Sequence, residues 1–65
     1  VKLPELNDVW RRKGTGRYCE VVQIDQGSYG AVVEVRYFSD AKHGRWWVKD
    51  FIQEFEFERV GEVGD

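Results

Sequence analysis

Cys19, His43 and the carboxylates Glu20, Asp25 and Glu34 are the residues with catalytic chemistry available to them, and their spacing assembles none of it. Nucleophilic catalysis needs a nucleophile, a base within hydrogen-bond reach and a group that orients the base. No Ser, Cys or Lys is paired in that way by the sequence. Glu20 follows Cys19 directly and disfavours its thiolate through the neighbouring negative charge. His43 falls in a glycine-containing loop, where a solvated ring is the expected state. One Cys and one His also leave too few ligands for a Cys/His zinc site, and a single thiol makes no intramolecular disulfide. The expectation is a chain that is not an enzyme and that carries no metal and no small-molecule cofactor.

Chemistry that binds is better supplied. Arg11, Arg12, Lys13 and Arg17 lie in a segment without an acid, around Gly14-Thr15-Gly16, so cations and backbone amides together are suited to a phosphate. The segment lacks both the six-residue glycine spacing of a dinucleotide site and the Gly-Lys-Ser/Thr ending of a P-loop. A hairpin loop with solvated charges is the competing reading. The last third reverses the sign: Asp50, Glu54, Glu56, Glu58, Glu62 and Asp65 outnumber Lys49 and Arg59, for a net −4. Those carboxylates can mimic phosphates in a basic groove of another protein, or simply keep an aromatic-rich edge strand soluble. The whole chain is only −2, so two faces of opposite sign are expected despite a small total. Trp46 and Trp47 are consecutive, and on a strand they point to opposite faces. With Trp46 inward, Trp47 becomes an outward anchor near Phe38 or Tyr29, of a type that often dominates binding energy. It can equally be a ring covered by a loop.

These groups need a scaffold, and 65 residues is near the lower limit at which a chain folds without staples. Three Trp, three Tyr and four Phe supply the bulk for a core. Residues 1–8 read as an arm leading into a strand that begins at Val9 and Trp10. Residues 11–16 read as a loop. Residues 18–25 form a strand with one face of Tyr18, Glu20, Val22 and Ile24 and another of Cys19, Val21, Gln23 and Asp25. The first is favoured as inward because Val22 and Ile24 outweigh Val21 and Cys19, although a slip of one residue reverses the choice. A turn at 26–30 leads to a strand at 31–38 whose Ala31, Val33, Val35 and Tyr37 face the core. A loop at 39–44 and a strand at 45–48 follow. Asp50 and Gln53 have the spacing of a capping box, which predicts about one helical turn. Phe51 and Phe55 share a face of that turn, residues 55–58 alternate as a final short strand, and 61–65 is a frayed tail. The expected class is mostly β, a single domain of five short strands curled to protect their edges, with one helical turn before the last strand.

The succession of an Asp8-Val9-Trp10 strand, a glycine loop, strands at 18–25, 32–38 and 46–48, one turn, and a strand at 55–57 resembles an SH3-like barrel of the Tudor or KOW type. More narrowly it is similar to short bacteriophage and prophage proteins in which a Trp-initiated strand leads to a closing Phe-x-x-x-Phe segment, here Phe51 and Phe55. The likeness spans nearly the whole chain. It implies a binding module, of a kind found among nucleic-acid-associated proteins, chromatin readers and phage accessory proteins. The chain lacks the Ala-Leu-Tyr-Asp-Tyr run of signalling SH3 domains, so PxxP ligands are not implied. The leading expectation is a phage-type accessory protein that binds a protein of host nucleic-acid or defence machinery, as an anti-CRISPR does, through Trp47, Glu54, Glu56 and Glu58. The alternative is a nucleic-acid-binding barrel using Arg11, Arg12, Lys13 and Arg17 for phosphates and Tyr29 or Trp47 for stacking. A third is a structural subunit whose exposed strand edge pairs with a neighbour; across these readings the expected state is a monomer or weak homo-oligomer. The lone thiol fits a reducing compartment, no apolar run approaches the ~20 residues of a membrane span, and VKLPELNDVW has no hydrophobic stretch of a signal peptide. The cytoplasm of a bacterial host is the expected location.

Overall fold

Alternating apolar residues and β-branched side chains build most of this chain into strands, which the computed structural model describes over residues 2–61. The elements are β1 (Val9–Arg12), β2 (Tyr18–Gly27), β3 (Gly30–Tyr37), β4 (His43–Trp47), α1 (Val48–Glu54) and β5 (Phe55–Arg59). The strands form one antiparallel sheet in the order β4-β3-β2-β1-β5. The protein is thus a mostly β domain with five antiparallel strands and one short helix. No helix among the described residues is long and apolar enough to cross a membrane. Arg11 and Arg12 belong to β1, so the first loop is shorter than the sequence suggests and starts at Lys13.

The inward face of β2 differs from the expected one. Val21 pairs with Val35, but the next pair is Gln23 with Glu34, so Val22 is the extra residue of a β-bulge. A bulge of one residue exchanges the faces of everything beyond it. Before it Cys19 and Val21 point inward, at 0% and 1% exposure; beyond it Ile24 packs against the core. Tyr18 and Val22 are exposed and Glu20 lies on the outer face, against the expected inward set. β3 has no bulge, and Val33, Val35 and Tyr37 are buried as the alternation requires.

The core is closed by aromatic rings from four elements. Trp10 meets Phe51 edge-on at 4.9 Å and Phe57 at 5.5 Å, while Phe51 and Phe55 stack at 4.3 Å and Trp46 abuts Phe55 at 5.3 Å. Each such pair adds about 0.5–1.5 kcal/mol beyond the area it buries. The helix is longer than one turn and begins at Val48, after a Trp47 that provides no side-chain cap. Asp50 is therefore not the cap residue of a capping box. Its carboxylate lies within the first turn, where it favours the helix dipole instead.

The arm is part of the structure. Pro4 and Asp8 are buried, the Glu5 N–H donates to Asp8 Oδ2 at 2.8 Å, and Lys2 Nζ lies 3.3 Å from the same oxygen. The Asn7 N–H donates to the Val21 carbonyl at the bulge. Gly61 crosses this arm so closely that a Cβ there would sit 1.9 Å from the Asn7 carbonyl oxygen, which explains glycine at that position. Of the tail at 61–65, residues 62–65 lie outside the described residues, and with them Glu62 and Asp65.

The bulge makes neighbouring valines unequal. Val21→Ala is expected to destabilise the fold by about 2 kcal/mol in urea unfolding, and Val22→Ala to change it by less than about 0.5 kcal/mol. Equal effects would reject this register.

Candidate functional site

The basic segment and the acidic strand are neighbours, which corrects the expectation of two separate faces. β1 lies beside β5 with Arg11 opposite Glu56. Arg11 Nη2 donates to Glu56, and Arg11 Nε donates to Glu58 Oε1 at 3.0 Å. The bond to Glu58 holds the Arg11 guanidinium above its ordinary pKa. Arg12 points to the other side and covers the rim of the core, its guanidinium carbon 4.9 Å from the Trp46 ring centroid and 6.0 Å from that of Phe55. Arg17 donates to Asp40 Oδ2 at 2.8 Å and Ser39 Oγ at 2.9 Å, and lies 4.2 Å from the Tyr37 ring centroid. The Lys42 N–H, and then Arg17, hold the Asp40 carboxyl below its ordinary range. Lys13 alone of the four cations has no ionic or aromatic partner among the described residues.

The amides of the loop are similarly engaged. The Lys13 N–H donates to the Glu54 carbonyl at 3.0 Å, the Gly16 N–H to the Arg12 carbonyl at 2.7 Å, and the Arg17 N–H to Thr15 Oγ1 at 3.3 Å. A phosphate cradle requires such donors to point at the ligand. Here three of them donate to acceptors within the protein instead.

Opposite charges alternate across the outer face of the sheet. Glu20 accepts from Arg36, Glu34 sits 3.0 Å from His43 Nδ1 and 3.9 Å from Arg45, and Arg45 reaches Asp25 at 3.5 Å. Exposed pairs of this kind each contribute only about 0–1 kcal/mol to stability. Their larger effect is on the field, because adjacent opposite charges cancel within the ~8 Å range left by physiological salt.

An aromatic cleft lies outside this ladder. The hairpin of β2 and β3 turns through Ser28 and Tyr29, and Gly30 takes the positive φ of 130° that the reversal needs. Tyr29, 95% exposed, and Trp47, 46% exposed, line a cleft of about 500 Å³ with Gly30, Ala31, Val48, Lys49 and Asp50. The expected division of the tryptophans holds, with Trp46 packed on the core and Trp47 outward. The cleft contains Tyr29 but not Phe38, which stands at the opposite end of β3. Glu56 and Glu58 belong to the far edge strand in the sheet order and do not line it; Glu54 is exposed at the end of α1.

Beside Phe38 is a feature the sequence reading missed. Val9, Tyr18, Phe38, Glu58 and Arg59 line a groove of about 460 Å³. Placing Tyr18 inward had hidden it, since only the bulge at Val22 sends Tyr18 outward. Cys19 is fully buried among the core residues. No group of three or more His, Cys, Asp or Glu among the described residues is placed to hold a metal ion.

Burial pushes the Cys19 thiol up to about 11, opposed by a backbone hydrogen bond from Trp10. The native protein should therefore resist a thiol reagent at mildly alkaline pH and react fully once unfolded, as absorbance of the released chromophore would report. Because the folded thiol titrates higher than the unfolded one, this stability is intact below the ordinary value of 9.0 and is lost as pH rises towards about 11. Rapid modification of native protein would contradict this placement.

No family model matches the chain, and neither the curated proteins nor the solved structures contain a match to it.

Proposed function

We propose that this protein is a non-enzymatic binding module whose partner is another protein, engaged through the Tyr29–Trp47 cleft. The observation that carries the reading is a half-exposed tryptophan facing a fully exposed tyrosine across about 500 Å³. Trp47, packed on one side, gives up less freedom on binding than a fully solvated ring does, and Trp and Tyr are the residues that most often dominate an interface. Lys49 and Asp50 at the rim add polar groups that can fix orientation.

The finer architecture belongs to the same proposal. An SH3-like barrel is supported by the order β4-β3-β2-β1-β5 and by the helix between β4 and β5. The resemblance to phage and prophage accessory proteins suggests a partner in host nucleic-acid or defence machinery, met in the bacterial cytoplasm. Glu56 and Glu58 have a reduced part in this reading, since Arg11 already holds both. The nucleic-acid alternative through residues 11–17 has less support, because Arg11, Arg12 and Arg17 are engaged within the fold.

The test is capture from host lysate by the wild type, followed by calorimetry with the purified partner and two variants. Trp47→Ala is expected to cost about 2 kcal/mol, or roughly thirtyfold in affinity. Glu56→Gln with Glu58→Gln should change it by less than threefold, about 0.6 kcal/mol. Retained affinity in Trp47→Ala rejects the cleft. Binding of single- or double-stranded nucleic acid that falls steeply with salt would favour the alternative instead.

A further inference from the structure

Across β2, β1 and β5, at the end of the sheet away from Trp47, the outer face carries a groove of unlike chemistry. Val9, only 4% exposed, forms its floor, and Tyr18 and Phe38, 48% and 50% exposed, form its walls. The two walls are joined, since the Phe38 N–H donates to the Tyr18 carbonyl at 3.1 Å. The groove of about 460 Å³ continues into a second of about 350 Å³ that shares Val9, Phe38 and Arg59 and adds Asn7, Glu20 and Gly61. Both exceed the roughly 300 Å³ at which concavities begin to hold ligands.

The charges lining it are not equivalent. Glu58 already accepts from Arg11, and Glu20 already accepts from Arg36. Arg59 has no ionic partner among the described residues. A guanidinium without an ionic partner among the described residues therefore stands beside an apolar floor with aromatic walls. A guanidinium binds a carboxylate through two parallel N–H donors, with geometry that a single point charge does not provide.

We propose that this groove docks an extended segment of another protein that carries a large apolar side chain beside a carboxylate. The apolar group lies between Tyr18 and Phe38 over Val9, and the carboxylate meets Arg59. The site does not depend on the Tyr29–Trp47 cleft, from which the length of the β2–β3 hairpin separates it. A chain with both sites can bridge two segments of one partner, which raises avidity without new contacts.

The experiment is a titration of the isotope-labelled protein, followed by amide chemical shifts, with the peptide acetyl-Gly-Asp-Phe-Gly-amide. The expected shifts centre on Val9, Tyr18, Phe38 and Arg59. Replacing the Asp of the peptide by Lys, or Arg59→Gln in the protein, should each weaken binding about tenfold, the usual scale of a lost charge-assisted hydrogen bond. Phe38→Ala should abolish binding with native shift dispersion retained, because Phe38 is outside the core. Trp47→Ala should bind as the wild type does, so failure here is separable from failure of the cleft. No shifts at millimolar peptide, equal binding of the Lys peptide, or shifts centred on Tyr29 and Trp47 would each overturn the proposal. So would oligothymidine shifting the same amides at lower concentration than the peptide, which would assign the groove to nucleic acid.

Discussion

The pairing of β1 with β5 is the constraint on which the remaining arrangement depends. β1 has only four residues, yet it joins β2 on one side and β5 on the other, and each of its side chains is committed to a different task. Trp10 enters the core against Phe51 and Phe57, Arg11 crosses to the glutamates of β5, and Arg12 covers the aromatic rim at Trp46 and Phe55. The strand period of two explains the alternation. It also explains why one short strand can organise a chain that has little surface to bury.

The chain concentrates four cations within residues 11–17 and half of its twelve acids from Asp50 onward, a distribution suited to steering a charged partner. Folding sets Arg11 against Glu56 and Glu58 and Arg17 against Asp40, which weakens that field where these charges meet. What the surface keeps is aromatic: Tyr29 with Trp47 at one end of the β2–β3 hairpin, and Tyr18 with Phe38 at the other. The ion pairs Arg11–Glu58 and Arg36–Glu20 link neighbouring strands, as opposite charges across a sheet do.

Much of this was legible in the sequence because the signals were local. The alternation of 31–38 identified β3 and its inward face, and consecutive tryptophans on a strand had to diverge. The Phe51 and Phe55 spacing placed both rings together, although one is in the helix and the other opens β5. The unread parts were set by partners far away in sequence. Nothing within residues 18–27 marks Val22 as the bulge, since the extra residue is defined by the register against β3. That single residue decided the fate of Tyr18, Val21 and Cys19. Likewise the burial of Asp8 and the pairing of Arg11 with Glu58 rest on contacts that composition does not encode. The supposed capping box at Asp50 failed for a local reason, because the helix starts three residues earlier, directly after Trp47.

The central claim is that Arg11 of β1 is held within the fold while Arg59 of β5 has no ionic partner among the described residues, and hydrogen exchange of the two guanidinium Nε–Hε groups tests it most directly. Arg11 Nε donates to Glu58 Oε1 at 3.0 Å, so its proton should exchange measurably more slowly than that of Arg59 and should lose this protection in Glu58→Gln. Equal exchange of Arg11 and Arg59 in the wild type, or protection of Arg11 that survives Glu58→Gln, would contradict it.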